Sequence, residues 1–227
     1  MIKPSKVVGS AAAALFLVVL GGWQDSSFAN LPPGIVLYSG RATVLRATVN
    51  VLTSTTKILL ADTGELDSNG GTKDATVVTF DNPPPLEVHS KTAHAITSGA
   101  SNVSASTAAV EKLLVNVGGA LKIRADVIEA DSFAECHQHT GTVSVHGTSN
   151  ITNLTINGTP INVASPPNSK ITIPGVATII INEQTHPDVN TIVVNAVHIT
   201  VPGVLGAVSA DIVISHAESD ITTCTIL

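Results

Sequence analysis

From Leu121 the chain alternates in side-chain character: Leu121, Ile123, Ala125 and Val127 fall between Lys122, Arg124 and Asp126. That period of two is the mark of a strand with one buried face. Val, Ile and Thr recur throughout, and branching at Cβ stiffens χ1 and favours the extended backbone. No long segment carries an apolar stripe at helical spacing with caps at its ends. Only Ser106 to Leu114 is ambiguous between a helical turn and a strand. The chain therefore reads as all-β, a β-sandwich of mainly antiparallel strands, with a compact β-solenoid as the alternative.

Strands are expected over Ile35–Val49, Lys57–Ala61 and Val77–Phe80. Further strands are expected over Ala100–Val117, Leu121–Cys136, Val176–Asn182, Thr191–Val201 and Ala210–His216. Asp62 to Thr72 is turn-rich, and Pro83-Pro84-Pro85 cannot lie inside a sheet. Gly118-Gly119 joins two long strands. Asn157-Gly158 is a hairpin signal that pairs Ile156 with Thr159, sets Pro160 opposite Thr155 and makes this strand an edge. The continuous apolar runs Thr178–Ile181 and Ile192–Val194 suit strands buried on both faces.

The N-terminus carries a different signal. Lys3 and Lys6 precede an apolar stretch from Val7 to Gly22, and Ser27-Phe28-Ala29 supplies small residues at a cleavage site. Residues 1–29 read as a secretory signal peptide cut between Ala29 and Asn30, leaving a single all-β domain over residues 30–227. The stretch is shorter than the roughly 20 residues of a permanent span. The last residues, Thr223 to Leu227, hold no apolar tail. The expectation is an exported, released protein, periplasmic or extracellular, with no permanent membrane anchor in its mature form.

Of the 11 Lys and Arg and 17 Asp and Glu, removing Lys3, Lys6 and Asp25 leaves 9 and 16, a net charge of −7. That balance argues against nucleic acid and anionic membranes as partners. After residue 29 the aromatics are Tyr38, Phe80 and Phe133, so stacking platforms for bases or sugar rings are scarce. Cys136 and Cys224 are the only cysteines, and in an exported chain they are expected to form one disulfide. A loop of about 90 residues would contribute at most roughly 4–5 kcal/mol.

Candidate chemistry is sparse. If Gly141-Thr142 forms a two-residue turn, His137 lies opposite His146, with His139 on the same face, and three imidazoles would offer a site for Zn²⁺ or Cu²⁺. No other cofactor is implied. Asp62-Thr63-Gly64 is the tripeptide of aspartic proteases, but Glu65 follows it and no second copy exists. No Gly-x-Ser-x-Gly, His-Glu-x-x-His, phosphate loop or dinucleotide fingerprint is present.

The order of the remaining signals resembles the bacterial choice-of-anchor P family. The landmarks are Ala61-Asp62-Thr63-Gly64-Glu65-Leu66 with Gly70-Gly71, the alternating segment ending at Cys136, and Leu154-Thr155-Ile156-Asn157-Gly158. Ile181-Asn182-Glu183-Gln184, Val194 to Val201 and Asp211 to Ala217 complete them. Together they cover nearly all of the chain after the leader. The resemblance implies a secreted or surface-displayed bacterial protein, makes Asp62 part of a family turn, and supplies no catalytic residue. The functional expectation is a non-catalytic envelope or extracellular-matrix protein, adhesive or self-associating, with itself or a surface polymer as partner. A metal-binding module and a hydrolase without a recognisable motif are the alternatives.

Overall fold

Alternation of large and small residues builds two antiparallel sheets that face each other. In the computed structural model, residues 34–51, 54–84, 86–163, 166–203 and 208–226 are described. The leader and its Ala29/Asn30 cleavage site lie outside them. Pro32 to Leu227 forms one compact unit. Its strands are β1 (Val36–Val51), β2 (Ser54–Asp62), β3 (Gly71–Val77), β4 (Phe80–Asn82), β5 (Leu86–Ser90), β6 (Ala93–Ala100), β7 (Val103–Val117) and β8 (Leu121–His137). They continue as β9 (Thr142–Thr152), β10 (Thr155–Ile156), β11 (Thr159–Pro160), β12 (Ser169–Ile173), β13 (Ala177–Thr185), β14 (Thr191–Val201) and β15 (Val208–Cys224).

The six-stranded sheet runs β12-β13-β14-β15-β1-β2. In the nine-stranded sheet β7 and β8 are long enough to take different neighbours along their length. At one end the order is β11-β10-β8-β7-β5-β4; at the other, β9 flanks β8, and β6 and then β3 flank β7. The sandwich expectation holds, and the sheets do not close on each other as a barrel. Ser106–Leu114 is strand, and the Asn157-Gly158 hairpin pairs Ile156 with Thr159 and Thr155 with Pro160 at the sheet's edge.

Three expectations are corrected. The Val77–Phe80 strand does not exist as one element: β3 ends at Val77 and β4 starts at Phe80, pairing with different strands. Thr178 and Ile180 of β13, and Val193 of β14, are half-exposed, because each alternates with buried neighbours and so falls on the sheet's outer face. The alternation of β8 also fails at Val127. Leu121, Ile123 and Ala125 face inward, but the buried set then shifts to Ile128, Ala130, Ser132, Ala134 and Cys136.

That shift is the organising feature of the fold. In the six-stranded sheet Ala61, Ser215 and Asn182 have φ of 46°, 54° and 50°. Each sits between flanking register pairs, opposite Val44 in β1 or Ala196 in β14, so the five residues form one line across five strands. In the other sheet Lys112 (φ 52°) and Asn153 (φ 53°) lie on a similar line through Asp126. A left-handed residue reverses in-and-out alternation without adding a residue to the strand. This crease costs about 1–2 kcal/mol at each non-glycine position, least at asparagine, and tertiary packing must sustain it.

The crease divides two kinds of interior. On one side Leu45, Leu86, Leu121, Ile123, Ile179, Ile199 and Ile212 fill an aliphatic core. On the other, Ile192, Val194, Ile221, Leu66 and Tyr38 are buried around a seam of small residues through which hydroxyls cross between sheets. Ser106 Oγ donates to Glu218 O at 2.6 Å, Ser104 Oγ to Ser39 O at 2.8 Å, and Ser132 Oγ meets Ser219 Oγ at 2.8 Å. At the crease itself Ser215 Oγ donates to Ile128 O at 2.9 Å. Glycine permits the approach: a Cβ on Gly40 would lie 2.8 Å from Thr97 Oγ1, and one on Gly99 2.7 Å from Tyr38 Cγ. Cys136 and Cys224 form a disulfide that fastens β8 to the end of β15, and so one sheet to the other.

Candidate functional site

Where the six-stranded sheet creases, its outer face carries a row of polar side chains in direct register. Asp62 (β2) pairs with Thr43 (β1), Thr43 with His216 (β15), His216 with Asn195 (β14), and Asn195 with Glu183 (β13). Thr43, Asn195 and His216 are buried although they point away from the sandwich interior. Buried polar groups need partners, and the row supplies them.

At one end Arg41 grips Asp62 through two parallel bonds, Nε to Oδ1 and Nη2 to Oδ2, both 2.8 Å. A fork of this kind is the strongest arrangement of these two groups. Burial opposes ionisation of Asp62, but the bonds from Arg41 and Thr43 hold its pKa below the usual carboxylate value. Arg41 Nη1 also reaches Glu65 Oε1 at 3.3 Å. A carboxylate held ionised in this way cannot share a proton as a protease dyad must. Asp62 is a brace between β1 and β2.

At the other end Asn195 Nδ2 donates to Glu183 Oε2 at 2.6 Å, which leaves Asn195 Oδ1 to accept from His216 Nδ1 at 2.8 Å. His216 Nε2 lies 3.7 Å from Glu218 Oε2. That neighbour holds the Glu218 pKa down against the opposing effect of burial. His198 stands between two carboxylates, Nδ1 2.9 Å from Glu183 Oε2 and Nε2 3.1 Å from Asp211 Oδ2. Burial disfavours its charge, yet the bonds to Glu183 and Asp211 prevail and raise its pKa.

Activating a hydroxyl nucleophile requires a base within hydrogen-bond reach that is itself oriented by a third group. Thr43 is the hydroxyl of this row, and it donates to Asp62 rather than to His216. A hydroxyl–imidazole pair does occur elsewhere, His137 Nε2 with Ser144 Oγ at 2.9 Å, on an exposed face of the nine-stranded sheet. No hydrogen bond orients the other nitrogen of His137 among the described residues.

The expected trio of His137, His139 and His146 does not assemble. The β8–β9 turn spans four residues, with Gly141 N donating to His137 O at 2.8 Å and Gly141 at φ 68°. His137 consequently pairs with Thr142, and His146 pairs with Phe133, four residues further along the strand. At about 3.3 Å per residue that separates the two imidazole-bearing positions by roughly 13 Å. His139 lies exposed in the turn. Both registers point the same residues outward, so alternation alone cannot choose between them. Among the described residues no group of three His, Cys, Asp or Glu side chains is placed to hold a metal.

Sequence reasoning missed the crease row. Its residues lie in motifs already singled out: Ala61–Leu66, Ile181–Gln184, Val194–Val201 and Asp211–Ala217 all cross the crease. The readable signal was the break in alternation within each of them.

No protein-family model and no curated protein matches the chain. Among solved structures it is similar to Ail, the attachment invasion locus protein of Yersinia pestis, at 7% sequence identity and a TM-score of 0.15, covering 82% of this chain and 97% of that one. Ail in complex with the heparin analogue sucrose octasulfate matches at 6% and 0.15 over the same shares. A likeness that slight says nothing of how this chain folds or acts.

Proposed function

We propose that this is an exported, non-catalytic protein of the bacterial envelope or extracellular matrix, acting by adhesion through its outer sheet faces. The observation that carries the reading is the crease row. The fold's richest collection of acid, amide and imidazole groups is bonded in two sets, Arg41–Asp62–Thr43 across β1 and β2 and His216–Asn195–Glu183–His198 across β15, β14 and β13, each a brace between strands. Arg41, Asp62, Asn195, Glu183 and His198 each hold a neighbour rather than face an open cleft. The disulfide between the sheets supports export, because such bonds form and persist in oxidising compartments. The secretory leader pattern agrees with it. The choice-of-anchor P resemblance fits this reading and adds surface display.

Producing the full chain with its leader in a bacterial host, fractionating the cells, and measuring attachment of the mature protein to cell envelopes and matrix tests the proposal. Oxidised protein outside the cytoplasm that coats these surfaces is the expected result. Reduced protein confined to the cytoplasm overturns it. So does turnover of any substrate in a hydrolase panel that disappears in His198→Gln.

A further inference from the structure

The outer face of the nine-stranded sheet carries a second polar feature, on the aliphatic side of the crease. An open groove of about 790 Å³ is lined by Lys112, Lys122, Arg124, Asp126, Asn153 and Asn157. Three of the nine Lys and Arg residues that follow the leader gather here, in a chain of net charge −7 after residue 29. Lys122 and Arg124 project from the same face of β8, about 7 Å apart along the strand. Both are exposed, and neither has an ion-pair partner among the described residues. Lys112 is different: its Nζ lies 2.7 Å from Asp126 Oδ1, and Asn153 Nδ2 donates to Asp126 Oδ2 at 2.6 Å. The groove therefore has a closed end at the crease and two free cations along its floor.

The wall is fixed in place. Asn157, in the β10–β11 turn at φ 50°, donates its N–H to Lys122 O and accepts from Lys122 N–H on Oδ1, both at 2.8 Å. Its Nδ2 donates to Ala120 O at 3.3 Å. Thr155 pairs directly with Arg124. Glu87 lies on the same outer face, aligned through Asn116 with Lys122. Its oxygens are taken by Asn116 Nδ2 and His89 Nε2, both at 2.8 Å, and these bonds, with a contribution from Lys122, hold its pKa down.

We infer that this groove binds an acidic polysaccharide, with Lys122 and Arg124 contacting its carboxylate or sulfate groups and Thr155 and Asn153 its hydroxyls. Unpaired cations beside amides and a hydroxyl complement a polymer that carries both acids and hydroxyls. Nucleic acid is a worse match, because the groove lining holds no aromatic side chain for base stacking. The inference rests on the adhesive reading above and gives it a ligand class.

The test uses the mature, oxidised protein with polygalacturonate, dextran sulfate, neutral dextran and single-stranded DNA as probes, by calorimetry at low and physiological salt. Binding to at least one acidic glycan, weakening with salt, and none to dextran are expected. Lys122→Glu with Arg124→Glu should lose at least tenfold in affinity. Lys57→Glu with Lys170→Glu, which changes net charge equally at exposed sites elsewhere, should retain it. Circular dichroism of both variants should match the parent. The inference is overturned if neither acidic glycan binds, if both double variants lose affinity equally, or if DNA binds as tightly as the glycan. Surface attachment that survives Lys122→Glu/Arg124→Glu removes the groove and leaves the adhesive reading standing. Glycan binding without surface attachment does the reverse.

Discussion

The two sides of the crease solve the same packing problem in different ways. On the aliphatic side, side chains such as Leu121, Ile123, Ile199 and Ile212 fill the space between sheets, as in an ordinary sandwich with sheets about 10 Å apart. On the serine side small residues line the facing strands β7, β8 and β15, where hydroxyls of one sheet reach backbone carbonyls of the other. Tyr38, Leu66, Ile192, Val194 and Ile221 are buried around that seam. Facing strands β15 and β8 bring Cα atoms within 8 Å. Directional bonds and a disulfide there supplement apolar burial. A chain almost without aromatics can thus build a long sandwich: one half is held by aliphatic burial, the other by apolar burial together with cross-sheet hydrogen bonds and a disulfide.

The comparison can be broken at several points. The largest effect is expected from Cys136→Ala with Cys224→Ala, which removes the clasp at the end of the serine side. The loss is at most about 4–5 kcal/mol in the chain-entropy model, and thermal melting should fall by roughly 2–4 °C for each kcal/mol. Leu121→Ala, on the aliphatic side, should cost about 2–5 kcal/mol because it leaves a cavity; urea melts give the figure. Ser219→Ala strands the buried Ser132 hydroxyl and should cost about 1–3 kcal/mol. Adding Ser132→Ala should cost less than a second such penalty, a coupling that a double-mutant cycle reads directly. If all three serine-side variants prove harmless, the hydroxyl seam does not hold the sheets.

Two smaller effects sharpen the contrast. His198 has a raised folded pKa, so its contribution is complete below about pH 6.5 and fades as pH rises through that folded value. The melting temperatures of the parent and His198→Gln should therefore differ most in mild acid and converge toward alkaline pH. Ser90 carries a buried hydroxyl without a hydrogen-bond partner among the described residues. Ser90→Ala should be neutral or slightly stabilising in a thermal melt, unlike the bonded serines.

Much of the fold was legible because it is written in short-range terms. The period of two located β8, extended composition located β7, and a continuous apolar run located β14. Asn157-Gly158 specified its hairpin, and two cysteines allow only one pairing. The site was not legible. The His137–His146 pairing failed because registers that differ by two residues per strand present identical faces, and only the four-residue turn at Gln138–Gly141 decides between them. The crease row failed for a different reason. Asp62, Thr43, His216, Asn195 and Glu183 come from five strands spread over most of the chain, and no spacing within one segment predicts their neighbours.

The sequence by itself determined the strand content, the aliphatic and small-residue composition of the two interiors, and the disulfide, because each depends on residue type or local period. Tertiary structure alone decided where alternation reverses, since Ala61, Lys112 and Ser215 have no intrinsic preference for a left-handed backbone. Only packing against the facing sheet, with Ser215 anchored to Ile128 O, makes that conformation the stable one. The reversal then places Thr43, Asn195 and His216 side by side on the outer face of one sheet, while Lys122 and Arg124 stand exposed on the outer face of the other.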